Sequence, residues 1–204
     1  MQKAIMKRVI LIHGYDGSPD RDWFPWMQEQ LKKENIICIA PHLPEPTNPN
    51  LEQWLKTIRN AVGTPDPQTF FIAHSLGCLT LCRYLERLPK ETKIGGVIFV
   101  GGSPGGRNPR GLENFDMSKI NPELINPHLP KNRVVQFYGT NDFIPQEFAT
   151  ELATLLGAKL IIEKDKGHYS EDFNVHKVPS VLDELKLLLR WEKTKKRTNV
   201  VSHK

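Results

Sequence analysis

The segment 73–77 reads AHSLG and places Ser75 between two small residues, Ala73 and Gly77. A serine hydroxyl becomes a strong nucleophile when a histidine takes its proton and a carboxylate orients that histidine. Small residues two positions before and after the serine permit the sharp strand-to-helix turn that exposes such a nucleophile. Serine is also a favoured N-cap of helices. The segment by itself therefore leaves a nucleophile and a helix cap equally open.

The base would be one of seven histidines. His168 follows an apolar run, within the segment DKGHYS (165–170), and Gly167 before it permits a tight bend. His74 adjoins Ser75, but neighbouring residues of a strand point to opposite faces, so His74 is poorly placed to act on it. The other histidines lack a comparable position after a later strand: His13, His42, His128, His176 and His203. We predict that His168 is the base.

The carboxylate is predicted to be Asp142, which follows the apolar run RVVQFYG in the segment GTNDFIP (139–145). An Asn-Asp pair is also a common turn signal, so a purely structural role is the alternative. Asp165 is nearer to His168 along the chain and is the reserve candidate. The resulting order of serine, aspartate and histidine is the one expected of α/β-hydrolases and differs from that of other serine-triad folds.

A sheet is needed to bring these residues together, because each follows a short apolar run rich in β-branched residues. Such runs occur at 8–13, 35–40, 69–74, 94–102, 133–139 and 159–164. Helical patterns alternate with them at 22–35, 51–62, 76–88, 146–157 and 178–191. This alternation predicts an α/β fold of three layers, a mostly parallel sheet of about six strands with helices on both faces. Ligands bind at the carboxyl ends of such strands, where Ser75, Asp142 and His168 are expected to meet.

Two backbone N–H groups are predicted to stabilise the oxyanion that forms when the serine attacks a carbonyl group. One belongs to Leu76, directly after the nucleophile, and the other to Tyr15, in the loop HGYDGS (13–18) after the first strand. The stretch 103–132 is rich in Pro, Gly and Asn, and we expect a wall or small lid there, with a short helix near 112–120. The site should then be shallow, open and suited to small acyl groups.

Length and charge fit one globular domain followed by a basic tail. Of the 204 residues, 39% are hydrophobic, which suffices for a folded core. Residues 1–192 are expected to form a single domain and residues 193–204 a basic, disordered tail. The tail contains five of the lysines and arginines and no acidic residue, so the net charge of +5 leaves the domain formally neutral. The charge therefore does not support the broad basic face typical of nucleic-acid binding, and we expect no nucleic-acid partner.

The location of the protein is predicted from what its sequence lacks. No apolar run approaches the roughly 20 residues that span a bilayer, and the N-terminal segment matches a signal peptide poorly. The three cysteines, Cys38, Cys78 and Cys82, form no even framework and are typical of reduced core residues. We therefore expect a cytoplasmic protein without membrane contact, and the sequence identifies no protein partner.

Four segments together resemble a known family: LIHGYDGSPDRDWFPWM, FFIAHSLGC, GTNDFIP and LGAKLIIEKDKGHYSEDF. They are similar to the small serine hydrolases of the retinoblastoma-binding-protein type and their YdeN-like bacterial relatives, over roughly residues 7–191. The resemblance implies a compact α/β-hydrolase fold with no large cap domain. It also implies a catalytic triad at Ser75, Asp142 and His168, with no metal or cofactor.

The sequence thus predicts a serine hydrolase, esterase-like, that cleaves a small ester, thioester or amide through an acyl-enzyme. A hydrolase-fold protein that acts mainly as a protein-interaction module is the alternative. A cysteine nucleophile is a second alternative, because Cys78 lies three residues after Ser75. Three positions along a helix should point Cys78 away from the turn, which disfavours it.

Overall fold

The structure is a computed structural model that describes residues 6–106, 112 and 115–198, with side chains described as far as residue 190. Its centre is a six-stranded sheet. The strands are β1 (Arg8–Ile12), β2 (Ile37–Ile39), β3 (Thr69–His74), β4 (Gly96–Val100), β5 (Val134–Gly139) and β6 (Lys159–Glu163). They lie in the order β2-β1-β3-β4-β5-β6, and every neighbouring pair is parallel. All carboxyl ends therefore meet at one edge of the sheet.

Helices cover both faces of the sheet. They are α1 (Phe24–Lys33), α2 (Leu51–Val62), α3 (Leu76–Leu85), α4 (Pro122–Ile125), α5 (Gln146–Leu156) and α6 (Pro179–Thr198). Alternate residues of β1 point to opposite faces. Ile10 and Ile12 belong to the apolar cluster that contains α2, α3 and α5, whereas Val9 and Leu11 belong to the one that contains α1 and α6. Burial on both faces explains why the central strands are continuous apolar runs.

The predicted three-layer α/β-hydrolase fold is confirmed, with each of the six strands and the five longer helices close to its expected position. The helix expected near 112–120 is wrong for the part described, since residues 115–120 form bends and loop. A short helix begins only at Pro122, where Asn121 accepts a hydrogen bond from the Glu123 N–H group at 3.0 Å. Proline is preorganised for a first helical position, which explains the later start. Residues 113–114 lie outside the described part.

The last helix, α6, extends beyond its expected end to Thr198, because WEKTKKRT is rich in good helix formers. It therefore overlaps the segment expected to be a basic tail, whose residues 199–204 lie outside the described part. The division of the chain at residue 192 stays a prediction. None of the helices within the described residues has both the length and the apolar character to cross a membrane.

Candidate active site

Ser75 lies at the turn between β3 and α3 in a strained backbone conformation, with φ 54° and ψ −126°. L-residues adopt this region rarely, at a cost of about 1–3 kcal/mol, and such strain is often found at functional sites. The Ser75 side chain occupies the N-cap position but makes no capping hydrogen bond. The hydroxyl is therefore free to take part in another contact, and the cap interpretation does not describe this serine.

Two glycines allow the loop after β1 to pack directly against this turn. A Cβ atom added to Gly77 would lie 2.5 Å from the His13 carbonyl oxygen and 2.6 Å from that of Ile12. One added to Gly14 would lie 2.7 Å from the Ser75 Cβ atom. Both positions therefore exclude any side chain, whereas the methyl group of Ala73 is accommodated in the core. Of the two small residues that flank Ser75, the turn therefore requires Gly77, and it tolerates Ala73.

Ser75, His168 and Asp142 form a continuous chain of hydrogen bonds. The Ser75 Oγ atom lies 2.7 Å from His168 Nε2, and His168 Nδ1 lies 2.9 Å from Asp142 Oδ2. A carboxylate only accepts hydrogen bonds, so Nδ1 is the protonated nitrogen and Nε2 accepts from the serine hydroxyl. The structure thus brings together the three residues that the sequence predicts, and in a neutral imidazole this arrangement leaves the acceptor nitrogen facing the serine.

The carboxylate that contacts His168 is that of Asp142, and the reserve candidate Asp165 contacts another residue. The side chains of His168 and Asp142 are 7% and 1% exposed. Asp142 Oδ1 also accepts a hydrogen bond from the Ile144 N–H group at 2.8 Å, which holds the carboxylate in place. Asp165 instead accepts from Asn141 at 3.0 Å and its side chain is 63% exposed.

The loop that precedes Tyr15 is held by His13. The Leu43 N–H group donates to His13 Nε2 at 3.0 Å, so Nδ1 is the protonated nitrogen, and it donates to the Gly14 carbonyl oxygen at 3.0 Å. The Gly17 N–H group donates to the same oxygen at 3.2 Å. The peptide is planar and trans, so the Tyr15 N–H group points away from this oxygen in a fixed direction.

The two predicted oxyanion donors are the backbone N–H groups of Leu76 and Tyr15. Within the described part of the chain, neither of them has a hydrogen-bond partner. Both residues line the cavity that contains Ser75 and His168. Unpaired N–H groups beside a nucleophile are suited to bind an oxyanion. Their role in catalysis stays a prediction.

His74 contacts His168 rather than Ser75, a role that the sequence reasoning missed. Its Nε2–H group donates to the His168 carbonyl oxygen at 2.8 Å. Burial, and secondarily the nearby His168, lowers the pKa of His74 to about 3 from the ordinary 6.5. His74 is therefore neutral near pH 7 and helps to hold the backbone of the proposed base. An apolar strand that ends in histidine was the only available signal.

This buried histidine should make the protein less stable in acid. The unfolded chain binds a proton at His74 below about pH 6.5, and the folded chain does so only near pH 3. The free energy of unfolding should therefore decrease by about 1.4 kcal/mol for each pH unit between these values. Urea titrations at several pH values give the free energy of unfolding as a function of pH. The decrease between pH 6.5 and pH 3 should become smaller in His74→Gln, and it should be unchanged in the exposed control His42→Gln. Equal slopes for wild type and His74→Gln would contradict the assignment.

The backbone strain at Ser75 predicts an unusual order of stabilities. Glycine adopts positive φ without steric cost, so Ser75→Gly should be more stable than Ser75→Ala by about 1 kcal/mol. At Ser180, in the first turn of α6, the order should be reversed: Ser180→Ala should be more stable than Ser180→Gly, because alanine is the better helix former. Thermal unfolding of the four variants measures both differences. Equal or lower stability of Ser75→Gly would show that the turn is unstrained.

The other predicted candidates lie in places that fit structural roles. Cys78 is fully buried, its thiol lies 3.1 Å from the Ala73 carbonyl oxygen, and burial raises the pKa of that thiol. His128 is buried and its ring contacts the Thr92 carbonyl oxygen at 2.9 Å. His42 is exposed and lies beside Asp20. These residues therefore do not compete with Ser75 and His168.

A cavity of about 450 Å³ opens at Ser75 and His168. Its size is typical of small-molecule sites, and the expectation of a shallow, open site stays a prediction. Phe143 lies at its edge with 68% exposure, and its ring centroid is 4.3 Å from that of His168. The sequence analysis did not single out Phe143, although an apolar residue directly after the predicted acid was a signal.

An all-parallel sheet with a strained serine after β3, a carboxylate after β5 and a histidine after β6 defines an α/β-hydrolase. The chain belongs to the serine hydrolase family, whose sequence model matches residues 9–187. This membership supports a hydrolytic function, as the resemblance seen in the sequence implies.

Individual relatives agree with this assignment. The chain is 32% identical over 180 residues to YdeN of Bacillus subtilis (strain 168), which covers 88% of this chain and 94% of YdeN. It is 26% identical over 169 residues to the serine hydrolase RBBP9 of Rattus norvegicus, covering 79% and 87% of the two chains. The crystal structure of the B. subtilis ydeN gene product superposes with a TM-score of 0.83 at 30% identity, covering 90% of this chain and 98% of that one.

Proposed function

We propose that the protein hydrolyses a small ester, thioester or amide through an acyl-enzyme, with carboxylic esters the preferred class. Ser75 is the nucleophile, His168 the general base and Asp142 the residue that orients it. The observation that supports this most directly is the chain of hydrogen bonds from Ser75 through His168 to the buried Asp142. Membership of the serine hydrolase family supports the same chemistry.

The geometry suits a two-step reaction. Ser75 Oγ attacks the carbonyl carbon while its proton passes to His168 Nε2, and Asp142 stabilises the imidazolium. The tetrahedral intermediate collapses, the bond to the leaving group breaks, and His168 returns the proton to that group. Water then enters, loses its proton to His168 and attacks the acyl-enzyme. The acid product leaves, and Ser75 regains its proton.

The oxyanion of each tetrahedral intermediate would be bound by the backbone N–H groups of Leu76 and Tyr15. One such donor lowers the barrier by about 3 kcal/mol. His13 supports this step indirectly, since its hydrogen bond to Gly14 orients the peptide that ends in the Tyr15 N–H group. The site needs no metal or cofactor for this reaction.

A fluorophosphonate probe tests the proposal, because it reacts covalently with an activated serine. We expect one equivalent of label, located on Ser75 by peptide mass spectrometry, and a burst of p-nitrophenol from activated esters. A folded protein that neither takes up the label nor hydrolyses esters would contradict the proposal and favour the interaction module. Iodoacetamide distinguishes a cysteine nucleophile, and we expect it to leave activity intact because Cys78 is buried.

We also propose that the protein acts in the cytoplasm on a dissolved substrate. The cysteines support this location, because Cys78 and Cys82 are buried and all three are free thiols. Fractionation of cells that express a tagged chain measures the location directly, and a tag recovered outside the cytoplasm would contradict it.

A further inference from the structure

The cavity at Ser75 has two chemically different sides. One side is formed by Leu76 and Leu79, which are three residues apart on α3 and so share a face of that helix. Leu112 and Met117, from the connection between β4 and α4, line the same cavity. All four pack with the apolar cluster on the α2, α3 and α5 face of the sheet. We call these four residues the apolar wall.

The second side is formed by polar lining residues from two other loops. Arg21 and Asp22 follow β1, and Ser170 and Asp172 follow β6. The two loops are joined, because Asp22 and Glu171 each donate a backbone N–H group to the other's carboxylate, at 2.8 and 2.9 Å. These loops adjoin α1 and the Tyr169 side chain, which pack on the other face of the sheet. We call Arg21, Asp22, Ser170 and Asp172 the polar wall.

The position of His168 decides which wall faces which half of the substrate. His168 has to return a proton to the leaving group, so the leaving group lies on the side of the His168 loop, which is the polar wall. The carbonyl oxygen has to reach the Leu76 N–H group at the start of α3. The acyl chain, on the remaining substituent of the carbonyl carbon, is then directed along α3 past Leu79.

We propose that the apolar wall binds an unbranched, apolar acyl chain of medium length, with Leu79 and Met117 as the residues that set its length. This inference rests on the proposed function and names the substrate class of the same site: esters or thioesters of medium-chain acids with a polar leaving group. It departs from the expectation of small acyl groups because the lining of the cavity of about 450 Å³ includes Leu79, Leu112 and Met117 in addition to the residues at the serine.

The apolar wall is held in place by a buried ion pair. Arg83 on α3 contacts Glu86 at 2.8 Å, and both side chains are largely buried. Arg83 also donates to the Ser118 hydroxyl at 2.8 Å, and Glu86 accepts from the Asn121 N–H group at 2.6 Å. The segment that contains Met117 is thus tied to α3 at two points. A fixed wall of this kind can discriminate between acyl chains of different length.

The test is the dependence of kcat/KM on acyl length for p-nitrophenyl esters from acetyl to dodecanoyl, in which the leaving group is constant. We expect kcat/KM to rise about fourfold for each methylene that becomes buried, and to fall once the chain exceeds the cavity. Met117→Trp narrows the cavity and should move the optimum to shorter chains. Met117→Ala widens it and should move the optimum to longer chains. The exposed control Met6→Trp, before β1, should leave the wild-type profile unchanged.

The outcomes separate this inference from the proposed function. A fluorophosphonate label on Ser75 together with a preference for acetyl esters, or with a profile unmoved by both Met117 variants, would overturn the acyl site and leave the hydrolase intact. Absence of both labelling and hydrolysis would overturn the two together. Calorimetry of octanoate with Ser75→Ala adds a measurement without turnover. If Met117→Trp, added to Ser75→Ala, weakens octanoate binding at least tenfold, the result supports the site. Equal octanoate binding with and without Met117→Trp opposes it.

Discussion

Replacing Ser75 with alanine should lower kcat by at least about 10⁴-fold, because the variant lacks the atom that forms the acyl-enzyme. The hydroxyl makes no capping bond, so its removal should cost little stability. The substrate cavity should remain, and substrate analogues should bind with nearly unchanged affinity. Steady-state hydrolysis of p-nitrophenyl esters measures kcat, and fluorophosphonate labelling of the same preparation should disappear.

Ser180→Ala provides the matched control, since it removes a hydroxyl from α6 and should retain wild-type activity and labelling. Circular dichroism and thermal unfolding establish that both variants are folded. Ester hydrolysis by Ser75→Ala within about tenfold of wild type would exclude Ser75 as nucleophile. In that case iodoacetamide sensitivity would be the next measurement, because Cys78, on α3, is the alternative nucleophile.

Asp142→Asn should lower kcat by about 10³–10⁴-fold while preserving the shape of the site. The amide can offer an N–H group to His168 Nδ1, which favours the tautomer with the proton on Nε2. A protonated Nε2 cannot accept the proton of Ser75, whose Oγ atom lies 2.7 Å away. The loss should appear in kcat rather than in KM, because substrate binding does not depend on this tautomer.

Asp165→Asn is the control for this substitution, because Asp165 follows β6 as Asp142 follows β5 but does not reach His168. Its carboxylate contacts Asn141 instead, so activity should stay within about threefold of wild type. A larger loss in Asp165→Asn than in Asp142→Asn would reverse the assignment of the acid. Similar small losses in both would show that His168 needs no carboxylate partner.

Much of this architecture could be predicted from local patterns. The apolar stripe at Leu51, Trp54, Leu55, Ile58 and Val62 lies on one side of a helix, and α2 has the bounds that this stripe predicts. The run TFFIAH is buried at every position, as expected of a central parallel strand. In both cases the periodicity of the residues matches the environment that they meet, so tertiary contacts do not override it.

The failures occur where local patterns are weak. The connection between β4 and α4 has no regular period, and its shape depends on long-range contacts such as that of Arg83 with Ser118. The cavity volume could not be predicted either, because its lining residues come from several separate segments of the chain. Phe143 was missed because its position directly after Asp142 is a weak signal, whereas its ring contact with His168, at 4.3 Å between centroids, depends on the tertiary structure.

The sequence by itself determined the class of fold and the three residues that could form a triad. Its order of apolar runs and turns leaves few topologies, and Ser75, Asp142 and His168 follow apolar runs in hydrolase order, with Asp165 as the reserve acid in the same order. The tertiary structure decided the conformation of the turn at Ser75 and the partner of its hydroxyl, which are the two features in which a helix cap and a nucleophile differ. Those depend on Gly14 and Gly77, whose missing side chains let the first loop contact the turn. They also depend on parallel strand pairing, which brings Asp142 and His168 to the same edge of the sheet.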